Sequence, residues 1–184
     1  MTHEEAIVLL HKYIKNENMI KHCLASEAVM TALADKLGQD RGKWALAGLL
    51  HDLDVEMCNA DLNVHGNETV KILTALGIDP EIIDAIRMHN EMAHGEKRSK
   101  MFHYALAAGE IISGLITATA LVYPDKKLAS VKVKSITKRM KETAFARSVN
   151  RDIIRECEKI GIPLEEFADI ALKAMQGISD QLGL

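Results

Sequence analysis

Apolar residues recur along this chain at the three-and-four spacing of helices, and no run alternates with the two-residue period of a strand. Ile7, Leu10 and Ile14 share one face of a segment from about Glu4 to Lys15, opened by a capping-box pair, Thr2 and Glu5. A second helix follows Asn18 and stops before Gly38, with Leu24, Ala28, Met30, Leu33 and Leu37 as its apolar positions. A third runs from about Arg41 to His51 through Trp44, Leu46, Leu49 and Leu50. Residues 54–63 are polar and irregular, and the next helix is expected from about Asn63 to Gly77. Asp79-Pro80 opens another, which carries Ile82, Ile83 and Ile86 and ends near His89 or Asn90. After a polar loop over 90–100, a strongly apolar helix is expected from about Lys100 to Leu115, with a break at Gly114. Tyr123-Pro124-Asp125 reads as a turn. A basic helix, a helix ending at Gly161 and a last helix from Pro163 to about Leu182 complete the chain.

The expectation is therefore an all-α, compact helical bundle over residues 1–184, a single domain with its core in 19–122 and a helical subregion over 123–184. Composition agrees: hydrophobic residues are 48%, charged residues 27% and aromatics 4%, a balance that favours folded helix over sheet or disorder. The formal net charge of −3 gives no reason to expect a long nucleic acid as partner. Cys23, Cys58 and Cys157 form no CxxC pair, and the first residues lack a basic start and an apolar core, so a reducing, cytoplasmic setting is expected. The apolar stretch Ala105–Val122 is interrupted by Glu110, Ser113, Thr117 and Thr119, which suits a buried helix better than a membrane span.

Chemistry enters with His51-Asp52, which follows the apolar run Ala45–Leu50. A carboxylate at the end of a buried helix needs a partner, and a divalent cation is an efficient one. Imidazole nitrogen with carboxylate oxygen suits Mn, Fe, Co, Ni or Zn, with Mg also possible. His22, His65 and His89 each lie at or near a helix, and Glu110 sits inside the apolar run Ala105–Ile112, where an acidic residue is rarely left without a partner.

The order His22, His51-Asp52, His65, His89, then an acidic residue resembles the HD-domain superfamily of metal-dependent phosphohydrolases. The local words that carry it are Lys21-His22, Gly48-Leu49-Leu50-His51-Asp52-Leu53-Asp54, Ile86-Arg87-Met88-His89-Asn90 and Ala107-Ala108-Gly109-Glu110, and it extends over roughly Met19 to Val122. The remaining C-terminal third resembles the tail of a bacterial subgroup described only as HD-superfamily hydrolases. The resemblance implies one metal on His22, His51, Asp52 and Glu110. It implies a second on His65 and His89, with Asp52 bridging the two. The implied reaction is hydrolysis of a phosphomonoester or phosphodiester, nucleotide-like, by a metal-activated water. Two departures stand out. Glu110 occupies a position where the family usually has Asp, and the Gly-Tyr-Pro signature of the cyclic-dinucleotide branch is missing around His89-Asn90. A non-catalytic nucleotide-binding sensor and a di-iron oxygenase on the same ligand set are the alternatives.

Asp54 is a candidate acid/base, or a residue that orients a ligand. Lys97 and Arg98 are candidate phosphate-binding residues, as are Lys134 and Lys138, which share a helical face with Lys141; that face is either solvated or turned to the substrate. His94 and His103 read as surface or helix-end histidines, and Glu91 as a surface residue. A small phosphorylated substrate is the expected partner. Oligomeric state is left open.

Overall fold

A computed structural model describes residues 1–184 as ten helices and three short 3-10 turns, with no strand. The capping box at Thr2 and Glu5 opens α1 (His3–Tyr13). α2 (Glu17–Leu37) ends on Gly38 in the left-handed conformation, and α3 (Arg41–Leu50) ends on His51. Then come α4 (Asn67–Ala75), α5 (Pro80–His89) and α6 (Met101–Leu121). The last third holds α7 (Val133–Arg139), α8 (Arg151–Ile154) continuing into a 3-10 turn (Arg155–Ile160), α9 (Leu164–Gln176) and α10 (Ser179–Leu182).

α6 is the central rod. It is long and apolar enough to cross a membrane by length and composition, but Leu106, Ala107, Ala108, Ile112, Leu115 and Ile116 are all fully buried within the bundle. It packs against α2, α3 and α5, and also against α7, α8 and α9. The expected break at Gly114 does not occur. The helix continues to Leu121, since Ile116 and Ala120 carry the buried stripe past the glycine and supply the packing that holds it helical. α4 starts later than expected. Asp61 Oδ1 accepts from the Asn63 amide at 3.0 Å, which makes a turn there, and Gly66, at φ +97°, precedes the first helical residue. The last expected helix is divided near Gly177 into α9 and α10.

α2 and α3 approach most closely at Gly48. A Cβ built there would lie 2.7 Å from the Ser26 carbonyl oxygen, a backbone atom that has no way to rotate aside. Ser26 lies one turn beyond His22, and Gly48 lies three residues before His51. The backbone contact therefore sets the spacing of two histidines. Gly48→Ala is expected to lose about 1–3 kcal/mol of stability, the usual penalty of overpacking, read as a lowered denaturant midpoint.

Candidate metal centre

Four imidazoles and two carboxylates meet where α2, α3, α5 and α6 converge with the loop before α4. His22 comes from α2, His51 and Asp52 from the end of α3, His65 from the turn before Gly66, His89 from the end of α5 and Glu110 from the middle of α6. His22 Nε2 lies 3.2 Å from His51 Nε2, 3.6 Å from Asp52 Oδ2 and 3.8 Å from Glu110 Oε2. Asp52 Oδ1 lies 3.0 Å from His65 Nε2, 3.4 Å from His51 Nε2 and 3.6 Å from His89 Nε2. Ligand atoms bound at about 2.0–2.2 Å to one cation sit roughly 3–4 Å from each other. The set divides into two groups that share Asp52: His22, His51 and Asp52, then Asp52, His65 and His89.

The other ring nitrogens explain why this donor set fits a cation. His51 Nδ1 donates to the Gly48 carbonyl at 2.9 Å, and His89 Nδ1 to the Ile86 carbonyl at 2.5 Å. Ser113 donates its hydroxyl to the Glu110 carbonyl at 2.7 Å, so its oxygen accepts from His22 Nδ1 at 3.2 Å. His65 Nδ1 donates to Asp54 Oδ1 at 2.7 Å. With its hydrogen on Nδ1, an imidazole presents an Nε2 lone pair to the centre, as the rings of His22 and His51 do; His65, bonded through Nε2 to Asp52 at 3.0 Å, does so once it gives up its second proton. In the Nδ1–H tautomer the lone pairs of His22 and His51 face each other at 3.2 Å, an arrangement that positive charge in the gap relieves. Burial holds the His51 pKa down to about 3. At His65 burial opposes the charged form, but hydrogen bonds to Asp52 and Asp54 outweigh it and push the pKa up to about 10. Burial also works to raise Asp52, yet the imidazoles of His51, His65, His89 and His22 hold it well below the usual carboxylate range. Glu110 is pushed well up, first by burial and then by the charge of Asp52.

Asp54 is a positioning residue. It is fully buried. Its carboxylate accepts from the Gly66 amide at 2.8 Å, Glu68 at 3.0 Å and Thr69 at 3.2 Å while also holding His65. Gly66 has no side chain to cap α4, and Asp54 supplies the cap from 12 residues away. Both oxygens accept hydrogen bonds from these donors.

A cavity of about 520 Å³ opens onto the centre; Asp52, His65, His89 and Glu110 are in its wall. Arg98 lines it too. Its Nε donates to Glu156 Oε2 at 2.7 Å and one terminal nitrogen to the carbonyls of Met88 and His89 at 3.1 and 3.0 Å. The ion pair is largely buried; Arg98→Ala leaves Glu156 with Lys159 alone, at 3.0 Å, and strips the Met88 and His89 carbonyls of their donor. A loss of about 1–3 kcal/mol is expected from leaving buried groups unpaired, measured by chemical denaturation against Arg98→Lys as the milder change. Lys97 is 84% exposed and bonded to Glu91 rather than to the centre. Lys134 and Lys138 are exposed and absent from the cavity wall: their helix, α7, packs on α6 and α9 through Ile136, which turns the lysines to solvent. Glu91, read as a surface residue, instead lines the cavity, drawn in by the Arg98 amide at 2.7 Å. His94 contacts the Arg87 carbonyl at 3.1 Å, and His103 pairs with Asp84 at 2.8 Å.

Three supports were missed by sequence reasoning. Ser113 holds His22; its signal was a hydroxyl three residues after Glu110 in an otherwise apolar helix. Asn90 donates to the carbonyls of Leu62 at 2.8 Å and His65 at 3.0 Å, and so ties the His65 turn to α5. Ser148, Asn150 and Ile153 reach the cavity wall from the C-terminal third, with no local signal.

Comparison with known proteins agrees with this architecture. Residues 19–121 match the HD domain family, and the chain belongs to that family. Ribonuclease Y of Deinococcus radiodurans is 28% identical over 98 residues, which is 53% of this chain and 17% of that protein. The chain therefore spans under a fifth of this relative's length. No solved structure matches the chain.

Proposed function

We propose that this protein is a metal-dependent phosphohydrolase that cleaves a phosphomonoester or phosphodiester of nucleotide-like character. The observation that carries the reading is the pair of ligand groups sharing Asp52 at the floor of a cavity. His22, His51, Asp52 and Glu110 would hold one divalent ion; Asp52, His65 and His89 would hold the other. Bound there, the ions supply the Lewis acidity and the activated water that phosphoryl transfer requires. The chain's own residues do the rest. Asp54, Ser113 and the Gly48 and Ile86 carbonyls fix the imidazole rings, so the site needs little rearrangement to bind its ligand. Arg98 is held rigidly by Glu156 and two carbonyls, and its remaining terminal nitrogen donates to nothing in the chain; it is free to meet a phosphoryl oxygen. Asp52 and Glu91 repel an anionic substrate until cations compensate them. The ribonuclease name of the relative is in keeping with a phosphodiester as one substrate class.

The test is metal analysis of the purified protein, followed by a phosphate-release screen over mono- and diesters with Mn, Co, Ni, Fe and Mg. Metal-dependent release supports the reading. A metal-loaded protein that releases nothing from any ester sinks it. If such a protein retains iron and consumes oxygen instead, the oxygenase alternative takes its place.

A further inference from the structure

Part of the cavity wall comes from outside the residues that match the HD family. Ser148, Asn150 and Ile153 line the same cavity as Asp52 and Glu110, yet the family match ends at 121. The segment is firmly held. Arg98 clamps Glu156 just beyond it, and Arg151 donates to the carbonyls of Ala146 and Val149 at 2.8 and 2.6 Å and to that of Phe145. Its chemistry differs from that of the floor. Ile153 joins Leu62, Met92 and Ile111 as an apolar lining, and Leu62 and Met92 are left 48% and 63% exposed in the free protein. Asn150 Oδ1 accepts from the amides of Asp152 and Ile153 at 3.0 and 3.3 Å, which directs the side chain and leaves its amide nitrogen unpartnered. The Ser148 hydroxyl also has no partner in the chain, and no lysine lines the cavity. Arg98, its one arginine, has its charge compensated by Glu156 and Glu91.

We infer that the 148–153 segment is the leaving-group subsite of the proposed hydrolase, and that it selects a nucleoside carried on a single phosphoryl group. The inference rests on the hydrolase reading for where the phosphoryl group sits. With that group on the floor, the rest of the substrate meets apolar side chains on one hand and unpartnered donors on the other. That combination suits a flat, uncharged group with hydrogen-bond acceptors. Further phosphates would lie against Glu91 and find no uncompensated cation.

Asn150→Ser keeps an oxygen to cap α8 but removes the amide donor, and Ile153→Ala trims the apolar wall. Binding of a nucleoside monophosphate, the matching triphosphate and inorganic phosphate is measured by calorimetry on the metal-loaded protein, alongside KM and kcat. Wild type should bind the monophosphate more tightly than the triphosphate. Asn150→Ser should weaken Kd and raise KM for the monophosphate about 3–10-fold, the worth of one hydrogen bond, with kcat, phosphate affinity and melting temperature unchanged. A preference for triphosphate, no nucleotide binding at all, or wild-type affinity in both variants overturns the inference. Phosphate release that both variants leave untouched does so too, while sparing the hydrolase reading. Binding that depends on Asn150 without any phosphate release sinks the hydrolase reading and leaves the subsite standing.

Discussion

Asp52→Asn should strip both ions from the protein, whereas His65→Ala should strip one. The difference follows from the sharing of Asp52 between the two ligand groups, while His65 belongs to a single group. Phosphate release by Asp52→Asn should fall on the order of a thousandfold, equivalent to about 4 kcal/mol of transition-state stabilisation, in line with the several kcal/mol a Lewis acid supplies. The fold should survive, because the amide is isosteric and the surrounding core of Leu49, Leu50 and Leu53 is untouched. Plasma emission spectrometry on the purified variants counts the ions, and circular dichroism checks the helices. Should Asp52→Asn retain the same metal content as wild type, the shared-carboxylate arrangement is wrong.

Asp54→Ala should weaken metal binding at the His65 and His89 half by about 10–100-fold, as loss of an orienting partner usually does, and leave the His22 and His51 half near normal. It should also destabilise the protein, since the same carboxylate caps α4; cap removal alone costs about 0.5–2 kcal/mol. Asp54→Asn separates the two effects. Its remaining oxygen can still accept from His65 or from the Gly66 amide, so stability should recover more than metal affinity does. Chelator competition and thermal unfolding of the two variants provide the readouts. Equal metal affinity in Asp54→Ala and wild type would reduce Asp54 to a helix cap.

Sequence pattern reached the helices and the ligand types for one physical reason. Ionisable residues stood out against apolar runs, as Asp52 does after Ala45–Leu50 and Glu110 does within Ala105–Ile112. Periodicity also located α1, α2, α3 and α5 closely, and the last three carry their own stop signals: Gly38, His51-Asp52 and Asn90. What stayed out of reach depends on distance. The cap on α4 comes from a carboxylate 12 residues upstream of Gly66, and no local motif encodes it. The same holds for Arg98 meeting Glu156 across 58 residues, and for Asn150 entering the cavity wall. The basic face of α7 misled in the opposite way: its charges are local and legible, but which side of the helix meets the bundle is decided by Ile136. Gly114 failed as a break signal because burial of the flanking residues outweighs the helix penalty of a single glycine.

The contact of Gly48 with the Ser26 carbonyl gives the centre a history of its own. Main chain touches main chain there, so the separation of His22 and His51 does not depend on the volume of any nearby side chain. Repacking of buried residues such as Leu33 or Ile112 should therefore leave the two rings at their distance. The two rings are insulated from the repacking of the bundle that surrounds them, at the cost of one position where even the methyl group of alanine is destabilising.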